Sequence, residues 1–214
     1  MEKVTAKFKR KLNEFFSKEV NKRNRERLNS EPFTLLTNNC IGGIVYHDLG
    51  MRFDSPTINL YFKDQDFIEF ISNFEFYKKA ELIEDLSEHD ELNFPVGILK
   101  GDLIHRDIHI YFQHYKTFKE AAQKWIERSL RTQSKILVIF ELYNNKIDCE
   151  AWNKIKYKKK CLMHKKIIGL NDAIELQCYK NHENEKARIL KYDGFTGHRF
   201  LEKEFDYVTF INES

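Results

Sequence analysis

The sequence predicts an α/β protein of three layers (α/β/α) with a mostly parallel sheet, preceded by an N-terminal amphipathic helix. Short apolar segments of strand length alternate with longer segments whose apolar residues recur every three or four positions, which is typical of strand–helix–strand units. The most apolar short segment, KILVIF at residues 135–140, has no polar face. A strand of that kind is covered on both sides, so we expect it near the centre of the sheet.

A chain of 214 residues with 42% apolar and 32% charged residues is long enough to bury one sizeable core. We therefore expect a single α/β domain over residues 31–214, with residues 1–30 forming the helix ahead of it. No apolar segment approaches the ~20 residues that cross a bilayer, and no secretion signal is evident, so we expect a cytoplasmic protein. The four cysteines lack CxxC spacing, which favours reduced thiols over disulfides or a zinc site.

Residues 3–28 predict a helix with one apolar face on a polar, mainly basic background. Residues 1–28 hold ten Lys and Arg against four acids. The apolar face predicts packing on the domain or on a second copy of the chain, which we favour, or peripheral contact with the inner face of an anionic membrane. Without a recognised motif, the charge blocks are interpreted as solvated faces, and we expect no nucleic-acid partner. The apolar positions are Val4, Phe8, Leu12, Phe15, Phe16 and Val20.

The remaining elements follow from the alternation of patterns along the chain. Helices are predicted from Gly42, from Asp64 as its cap, from Thr117 to about residue 133, and near residues 149–153. The segment 107–112 alternates cleanly and places Ile108 and Ile110 on one face of a strand. Strands are predicted at residues 33–37, 57–62, 94–99, 107–112, 135–140, 161–164 and 173–179, and in DYVTF at residues 206–210.

The sequence NNCIGG follows directly after the first strand and is the main candidate for a site. Asn38, Asn39 and Cys40 come at the carboxyl end of that strand, and ligands of open parallel sheets bind outside such ends. Gly42 and Gly43 would open the next helix, where free amides and the helix dipole favour phosphate or pyrophosphate, and glycine permits close approach. The chain lacks GxGxxG and GxxxxGK[ST], so neither a dinucleotide fold nor a P-loop is predicted.

Cys40 at a helix start predicts either a thiol whose pKa is lowered by the dipole or a small buried residue at a tight turn. His47, seven residues on, returns to the same helix face but lies about 10 Å along it, at roughly 1.5 Å per residue. A direct bond between Cys40 and His47 therefore requires the helix to end early or bend. His47 is followed by Asp48, and Ser55 lies where the chain returns to the sheet.

A second group of candidates follows the strand at residues 107–112. His114 and Lys116 lie just past its end, which in a parallel sheet is the same edge as Cys40. A histidine there is either a general base or a loop residue that caps the next helix. Arg128 shares a helix face with Trp125 and either holds a phosphate or forms that helix's solvent edge.

Asp64-Gln65-Asp66 follows an apolar segment, and its spacing suits oxygen ligands for Mg or Mn. We favour a simpler interpretation, in which Asp64 caps a helix and Asp66 is a favourable first-turn acid. No metal site and no tightly bound cofactor are therefore expected.

Several segments together resemble an uncharacterised domain family often labelled exopolysaccharide biosynthesis protein, from about Phe33 to Asn212. They are FTLLTNNCIGGIVYHDLG, SPTINLYF, DFIEF, FPVGIL, DIHIYFQHYKTFKEAAQKWIER and FDYVTFIN. The resemblance implies an α/β/α fold and a setting in bacterial capsule or exopolysaccharide gene clusters. The Asn-Cys opening is similar, over fewer residues, to capsule-polysaccharide acyltransferases that bind coenzyme A and have a cysteine and a histidine in the site, although Ile41-Gly42 replaces their usual glutamine.

The expected function is transfer of an acyl group from acyl-CoA to a hydroxyl of a sugar or glycan acceptor during surface-polysaccharide synthesis. The Gly-Gly backbone would bind donor phosphates, Asn38 or Asn39 would polarise the thioester, and His47 or His114 would take the proton. Cys40 is either a covalent acyl carrier or a wall of the donor site, and we favour the wall. The alternatives are a glycosyl- or glycerophosphoryl-type transferase with a nucleotide-linked donor, and a non-catalytic module that binds such a precursor.

Overall fold

The computed structural model describes residues 2–87, 93–144, 146–182, 185 and 187–213, with side chains from residue 8 onward. Helices and strands alternate along most of this length, and two single 3₁₀ turns, Gln177–Tyr179 and Arg188–Leu190, precede the last two helices. The elements are α1 (Glu2–Arg27), β1 (Phe33–Thr37), α2 (Ile41–Asp48), α3 (Asp64–Ser72), α4 (Phe74–Tyr77), β2 (Leu82–Glu84), β3 (Val96–Leu99), β4 (Ile108–Tyr111), α5 (Phe118–Ser129), β5 (Lys135–Leu142), α6 (Cys149–Lys154), β6 (Lys158–Met163), β7 (Ala173–Glu175), α7 (Phe200–Glu204) and α8 (Tyr207–Asn212).

The larger sheet is parallel, with strand order β1-β5-β6-β7. β5 pairs with β1 on one side and β6 on the other, so the segment KILVIF is an interior strand as predicted. A smaller antiparallel sheet has the order β2-β3-β4. The α/β class and the mostly parallel sheet are therefore confirmed.

Side chains of β5 alternate between two hydrophobic cores, one on each face of the parallel sheet. Leu137 and Ile139 pack with residues of α2, α7 and α8. Val138 and Phe140 pack with residues of α3, α5 and α6, including Trp152. Because both faces bury apolar side chains under helices, the parallel sheet is the middle of three layers. Each such side chain contributes about 1.5–3 kcal/mol when fully buried.

β3 and β4 form an antiparallel pair rather than the parallel pair that the alternation suggested. Only residues 100–107 connect them, and a parallel pair needs a crossover of roughly a dozen residues or more. The expected face of β4 is nevertheless correct, since Ile108 and Ile110 are both fully buried. The period of the pattern set the buried face, while the length of the connection set the direction of pairing.

The strand predicted at residues 57–62 is absent. Residues 56–59 form a turn in which Asn59 has a φ of 64°, and a single bridge joins Tyr61 to Tyr111. The segment instead meets the edge of β1 through a side chain, because the hydroxyl of Thr57 accepts the amide hydrogen of Thr37 at 3.0 Å. A buried hydroxyl thus satisfies an edge amide that the missing strand would have paired.

The segment DYVTF is helical in α8, so its prediction as a strand is wrong. Asp206 caps the helix by accepting the amide hydrogen of Thr209 at 3.1 Å. Tyr207, Val208 and Ile211 are buried, and their spacing of one and three positions is that of a helix face. The strand was predicted because β-branched residues favour strands. The helix cap and the burial of one helix face outweighed that strand propensity.

α1 confirms the predicted helix over residues 3–28 but packs through an unexpected face. Phe8, Phe15 and Phe16 are 63%, 67% and 41% exposed. The expectation that this apolar face packs on the domain is therefore wrong for the three phenylalanines, and packing on a second copy of the chain stays a prediction. Polar side chains of α1 face the domain instead, because they find hydrogen-bond partners there. Asn24, for example, donates to the Tyr207 hydroxyl at 3.2 Å. The buried positions of α1 are Asn13, Ser17, Val20 and Asn24.

The four cysteines are free thiols, as their spacing predicts. Cys161 lies in the core, where burial raises the pKa of its thiol. None of the described helices is long and apolar enough to cross a membrane.

Candidate functional site

Cys40 lies between β1 and α2, in the position that caps the helix. It makes no side-chain cap bond, and two neighbours satisfy the first helical amides instead. Asn39 accepts the amide hydrogen of Ile41 at 3.0 Å, and Thr37 accepts that of Gly42 at 3.2 Å. Because these side chains close the turn, the sulfur of Cys40 is left to face other partners, and the residue is half-buried.

His114 is the histidine that meets Cys40. Its Nε2 lies 3.1 Å from the Cys40 sulfur, although the two residues are 74 positions apart. His114 is exposed and follows β4, a strand outside the parallel sheet. Cys40 and His114 thus meet at the carboxyl end of β1, although His114 follows a strand of the antiparallel sheet and not of the parallel one.

Buried hydrogen bonds hold the loop that contains His114 near the end of β1. The hydroxyl of Tyr115 donates to the carbonyl of Ile58 at 3.3 Å. The guanidinium of Arg128 donates to the same carbonyl at 3.0 Å and to the Tyr115 hydroxyl at 2.6 Å. Arg128 is only 7% exposed, so it is neither the solvent edge of α5 nor open to a phosphate. It fixes the loop after β4 against the turn that follows α2.

A fully buried carboxylate lies beside the Cys40 turn. Glu141, near the end of β5, is 0% exposed. One of its oxygens accepts from Asn39 at 2.6 Å and from the Tyr143 hydroxyl at 2.9 Å. The other lies 3.0 Å from Nε2 of His164 and accepts from the Tyr179 hydroxyl at 2.7 Å. Each oxygen thus has two hydrogen-bond partners, which is what a buried carboxylate requires.

Burial raises the pKa of the Cys40 thiol, and the nearby Glu141 carboxylate raises it further. The direction is opposite to the lowering expected from a helix start. The reason is that desolvation and a like charge both disfavour the thiolate. The thiol therefore holds its proton at neutral pH, and any attack by its sulfur needs a base such as His114 to remove that proton.

Asp64 is the second titratable group at this edge of the sheet. It accepts the amide hydrogen of Asn144 at 3.1 Å and is 7% exposed. Burial raises the pKa of Asp64 to about 6, with a further contribution from Glu141. It is the first residue of α3 rather than the cap, which is Lys63. A carboxyl group with a pKa near neutrality is typical of sites that transfer protons.

Asp64 forms part of the wall of a cleft of about 590 Å³. Residues of α3 and α6, Arg106 and the loops that follow β5 and β6 contribute the other walls. The two loops place the cleft at the carboxyl edge of the parallel sheet. Arg106 and Lys146 supply hydrogen-bond donors, and Ile68 and Ile147 supply apolar surface. Its volume and mixed lining are those of a small-molecule site.

His47 and Asp48 lie at the far end of α2 from Cys40 and are held there by other elements. His47 is exposed, with Nδ1 3.0 Å from Asp48. Asp48 is buried, accepts from Asn21 at 3.0 Å and pairs with Arg199. The structure thus separates this pair from Cys40 and uses Asp48 to join α1, α2 and the segment before α7.

The two glycines of the predicted anion site make close contacts within the protein. A Cβ at Gly42 would lie 2.8 Å from the Thr37 hydroxyl, and one at Gly43 would lie 3.3 Å from the Asn59 side chain. The close packing of α2 on β1 and on the turn at residues 56–59 therefore explains why both positions are glycine. With the amide of Gly42 already bonded to Thr37, anion binding by this backbone remains a prediction.

The side-chain amides of Asn38 and Asn39 are turned into the protein. Asn38 exchanges two hydrogen bonds with the backbone of Glu141, at 2.8 and 3.0 Å. Asn39 donates to Glu141 and to Tyr143 at 2.6 and 2.7 Å. These internal hydrogen bonds occupy both amides. Their role is to lock the end of β1 to the end of β5.

The other predicted binding residues divide between the interior and the surface. Ser55 is buried, with its hydroxyl 3.1 Å from that of Thr57, and Lys116 is exposed beside the start of α5. Asp66 is occupied by Arg106 at 2.6 Å and by the amide of His109 at 3.2 Å. Among the residues that the structure describes, no three His, Cys, Asp or Glu side chains are grouped as a metal site requires.

Sequence reasoning missed Glu141, Tyr143, His164 and Tyr179. The sequence did contain one signal for Glu141. This acid directly follows KILVIF, a strand expected to be buried on both faces, and a buried acid is unusual. His164 directly follows β6, at the same edge as the other site residues. Tyr179 gave no signal, since its position depends on a 3₁₀ turn that no local pattern marks.

The fold and the strand-end site define an α/β domain with a thiol–imidazole pair above a buried carboxylate. The model of a family described as "Domain of unknown function (DUF1919)" matches residues 11–212, and the chain belongs to that family. It is also similar to an uncharacterized protein from Haemophilus influenzae, with 28% identity over 199 residues that cover 91% of each chain.

Replacing Glu141 with glutamine should lower the free energy of unfolding by roughly 2–4 kcal/mol, because an amide nitrogen cannot accept the donors that the carboxylate accepts. Urea denaturation measures the loss. Tyr143→Phe, which removes one donor, is the matched control and should cost only about 1 kcal/mol. A Glu141→Gln protein as stable as the wild type would contradict this role for Glu141.

Asp64→Asn should make stability less dependent on pH. Because the pKa of Asp64 is 3.8 in the unfolded chain and about 6 in the fold, the folded state binds more protons between these values, and stability falls as pH rises through them. The variant lacks this loss, so its advantage over the wild type should grow from about pH 4 to pH 7, by at most about 3 kcal/mol.

Urea denaturation across this pH range provides the measurement, with Asp107→Asn as the control. The side chain of Lys100 lowers the pKa of Asp107, so its contribution to stability is complete above the pKa of the unfolded chain, and its difference from the wild type should stay nearly constant up to pH 7. A constant difference for Asp64→Asn as well would show that Asp64 titrates normally.

Proposed function

We propose that the protein is an acyltransferase of surface-polysaccharide assembly that moves an acyl group from acyl-CoA, through Cys40, to a sugar hydroxyl. The observation that carries the proposal is the 3.1 Å contact between the Cys40 sulfur and His114 at the carboxyl edge of the parallel sheet. A nucleophile with a base in hydrogen-bond reach is the arrangement that covalent acyl transfer requires.

The histidine partner favours the carrier role of Cys40 over the wall role. A wall role was favoured because His47 lies too far along α2 to reach the sulfur. His114 removes that obstacle, since it approaches from another segment of the chain. Cys149 provides a contrast, because it is also half-buried but its sulfur donates to the backbone carbonyl of Ile147, at 3.9 Å.

In the first half-reaction, Nε2 of His114 takes the thiol proton as the Cys40 sulfur attacks the thioester carbonyl. The carbon–sulfur bond to coenzyme A then breaks, and the departing sulfur receives the proton from His114. In the second half-reaction a sugar hydroxyl attacks the acyl-Cys40 carbonyl, and its proton passes to a base. The bond to Cys40 breaks, and the thiolate is reprotonated. A thiol with a raised pKa suits this sequence, because its proton leaves only during attack.

The cleft beside Asp64 is proposed to hold the sugar acceptor. A chain of bonds connects the wall of the cleft to the Cys40 turn: Asn39 precedes Cys40, Tyr143 bonds to Asn39 at 2.7 Å, and the amide of the next residue, Asn144, bonds to Asp64. The cleft offers both donors and acceptors to hydroxyl groups, and apolar surface to ring carbons. With a pKa of about 6, Asp64 is suited to take the hydroxyl proton near neutral pH.

Acetyl-CoA should acetylate Cys40 when no acceptor is present. Intact-mass spectrometry with peptide mapping detects the adduct. Cys40→Ser should abolish the mapped thioester, and His114→Ala should slow its formation by roughly 10²–10⁴-fold, the usual contribution of a general base. Cys149→Ser is the matched control and should acetylate normally.

Absence of the adduct, or equal acetylation of Cys149, would overturn the acyl-transfer proposal. Thermal shift with nucleotide sugars and CDP-glycerol, with and without Mg or Mn, then separates the alternatives. A rise in melting temperature that requires the metal would favour a transferase with a nucleotide-linked donor, and a rise without turnover would favour a binding module.

Asp64→Asn should leave acetylation of Cys40 intact but slow its discharge to acceptor by roughly 10²-fold, because the amide cannot take a proton. The acetylated enzyme is mixed with hexoses, N-acetylhexosamines and uronic acids, and loss of the adduct is followed by mass. Equal discharge rates for the variant and the wild type would remove Asp64 from the acceptor site while leaving the role of Cys40 standing.

A further inference from the structure

The surface of α1 that was expected to pack on the domain faces solvent. Phe8, Phe15 and Phe16 are 63%, 67% and 41% exposed and occur at spacings of seven and eight residues, so they share one side of the helix. α1 is held to the protein by the opposite side, as the buried Asn24 and its bond to Tyr207 illustrate. Of the apolar side chains of α1, Val20 is buried with these polar groups, while the three phenylalanines take no part in anchoring the helix.

A fourth exposed phenylalanine lies beside α1 in a distant loop. Phe195 is 55% exposed, and Lys9 lies 5.4 Å above its ring. The buried side chain of Asn13 holds the loop in place, because it donates to the carbonyl of Gly194 and accepts from the amide of Gly197, both at 3.0 Å. We call Phe8, Phe15 and Phe16, which share one side of α1, the phenylalanine patch.

Basic side chains accompany the patch. Residues 8–18 contain four Lys and Arg and one acid, Glu14, which is paired with Arg10 at 3.3 Å. Lys9, Lys11 and Lys18 are exposed. Lys11 and Lys18 are seven residues apart and line one flank of the apolar stripe. The surface therefore combines exposed aromatic rings with an excess of positive charge.

We propose that the phenylalanine patch binds the surface of an anionic lipid bilayer. Aromatic rings that insert at the level of the headgroups, flanked by lysines that meet anionic lipids, are the requirements of an interfacial helix. The charge argues against a second copy of the chain as occupant, because a symmetric contact would bring the same lysines of two subunits together. The proposal concerns a surface of α1 and does not depend on the chemistry of Cys40.

Flotation of the full-length protein with vesicles is the test. The wild type should bind vesicles of phosphatidylcholine mixed with phosphatidylglycerol, and bind weakly to phosphatidylcholine alone. Phe8→Ser with Phe15→Ser should reduce partitioning by roughly tenfold for each ring, the factor expected for an exposed phenylalanine that leaves an apolar phase. Lys11→Glu with Lys18→Glu should reduce it by at least roughly fivefold for each lysine, and salt should weaken wild-type binding.

Leu103→Ser with Ile168→Ser is the matched control, because these side chains are also exposed, at 105% and 92%, but lie outside the patch. This control should bind like the wild type. Circular dichroism confirms that each variant is folded, and the replaced side chains are exposed, so folding should not be affected.

The proposal is overturned if the wild type fails to bind anionic vesicles, or if binding survives loss of the two phenylalanines. It is also overturned if sedimentation shows a dimer that dissociates only in Phe8→Ser with Phe15→Ser and no vesicle binding is found. In that case the occupant is a second copy of this chain.

Discussion

The carboxylate of Glu141 holds together the edge of the sheet at which the candidate site is built. Placing a charged group at 0% exposure costs several kcal/mol unless its oxygens are satisfied. Here its partners come from four places: the end of β1, the loop after β5, the end of β6 and a 3₁₀ turn. A single buried group therefore joins four segments of the chain through hydrogen bonds.

The same carboxylate influences the chemistry beside it. It raises the pKa of the Cys40 thiol and of Asp64, in each case adding to the effect of burial. Both groups consequently hold protons at a higher pH than they would in water. A site of this kind depends on proton transfer during attack rather than on a thiolate that is already formed. His114, in contact with Cys40, is a base at the required distance.

The structure also explains why α1 remains attached while its apolar side is exposed. Asn13 and Asn24 form specific hydrogen bonds with distant segments, and buried bonds of this kind hold a helix in one orientation. Phe8, Phe15 and Phe16 are then left for another surface. The apolar periodicity of α1 was real, but periodicity alone does not say what an apolar face contacts.

Local pattern determined much of the architecture. β1, the interior β5, the start of α5 at its Thr117 cap, and the turn that carries Cys40 were all predictable, because periodicity, caps and turn residues act over a few positions. The segments at residues 57–62 and 206–210 were misassigned, because a turn at Asn59 and a cap at Asp206 outweighed β-branched composition. Tertiary structure alone decided which histidine meets Cys40, where Glu141 finds its four partners and which side of α1 is covered. Those contacts join residues up to 184 positions apart, and their energies depend on burial and geometry that no short segment specifies.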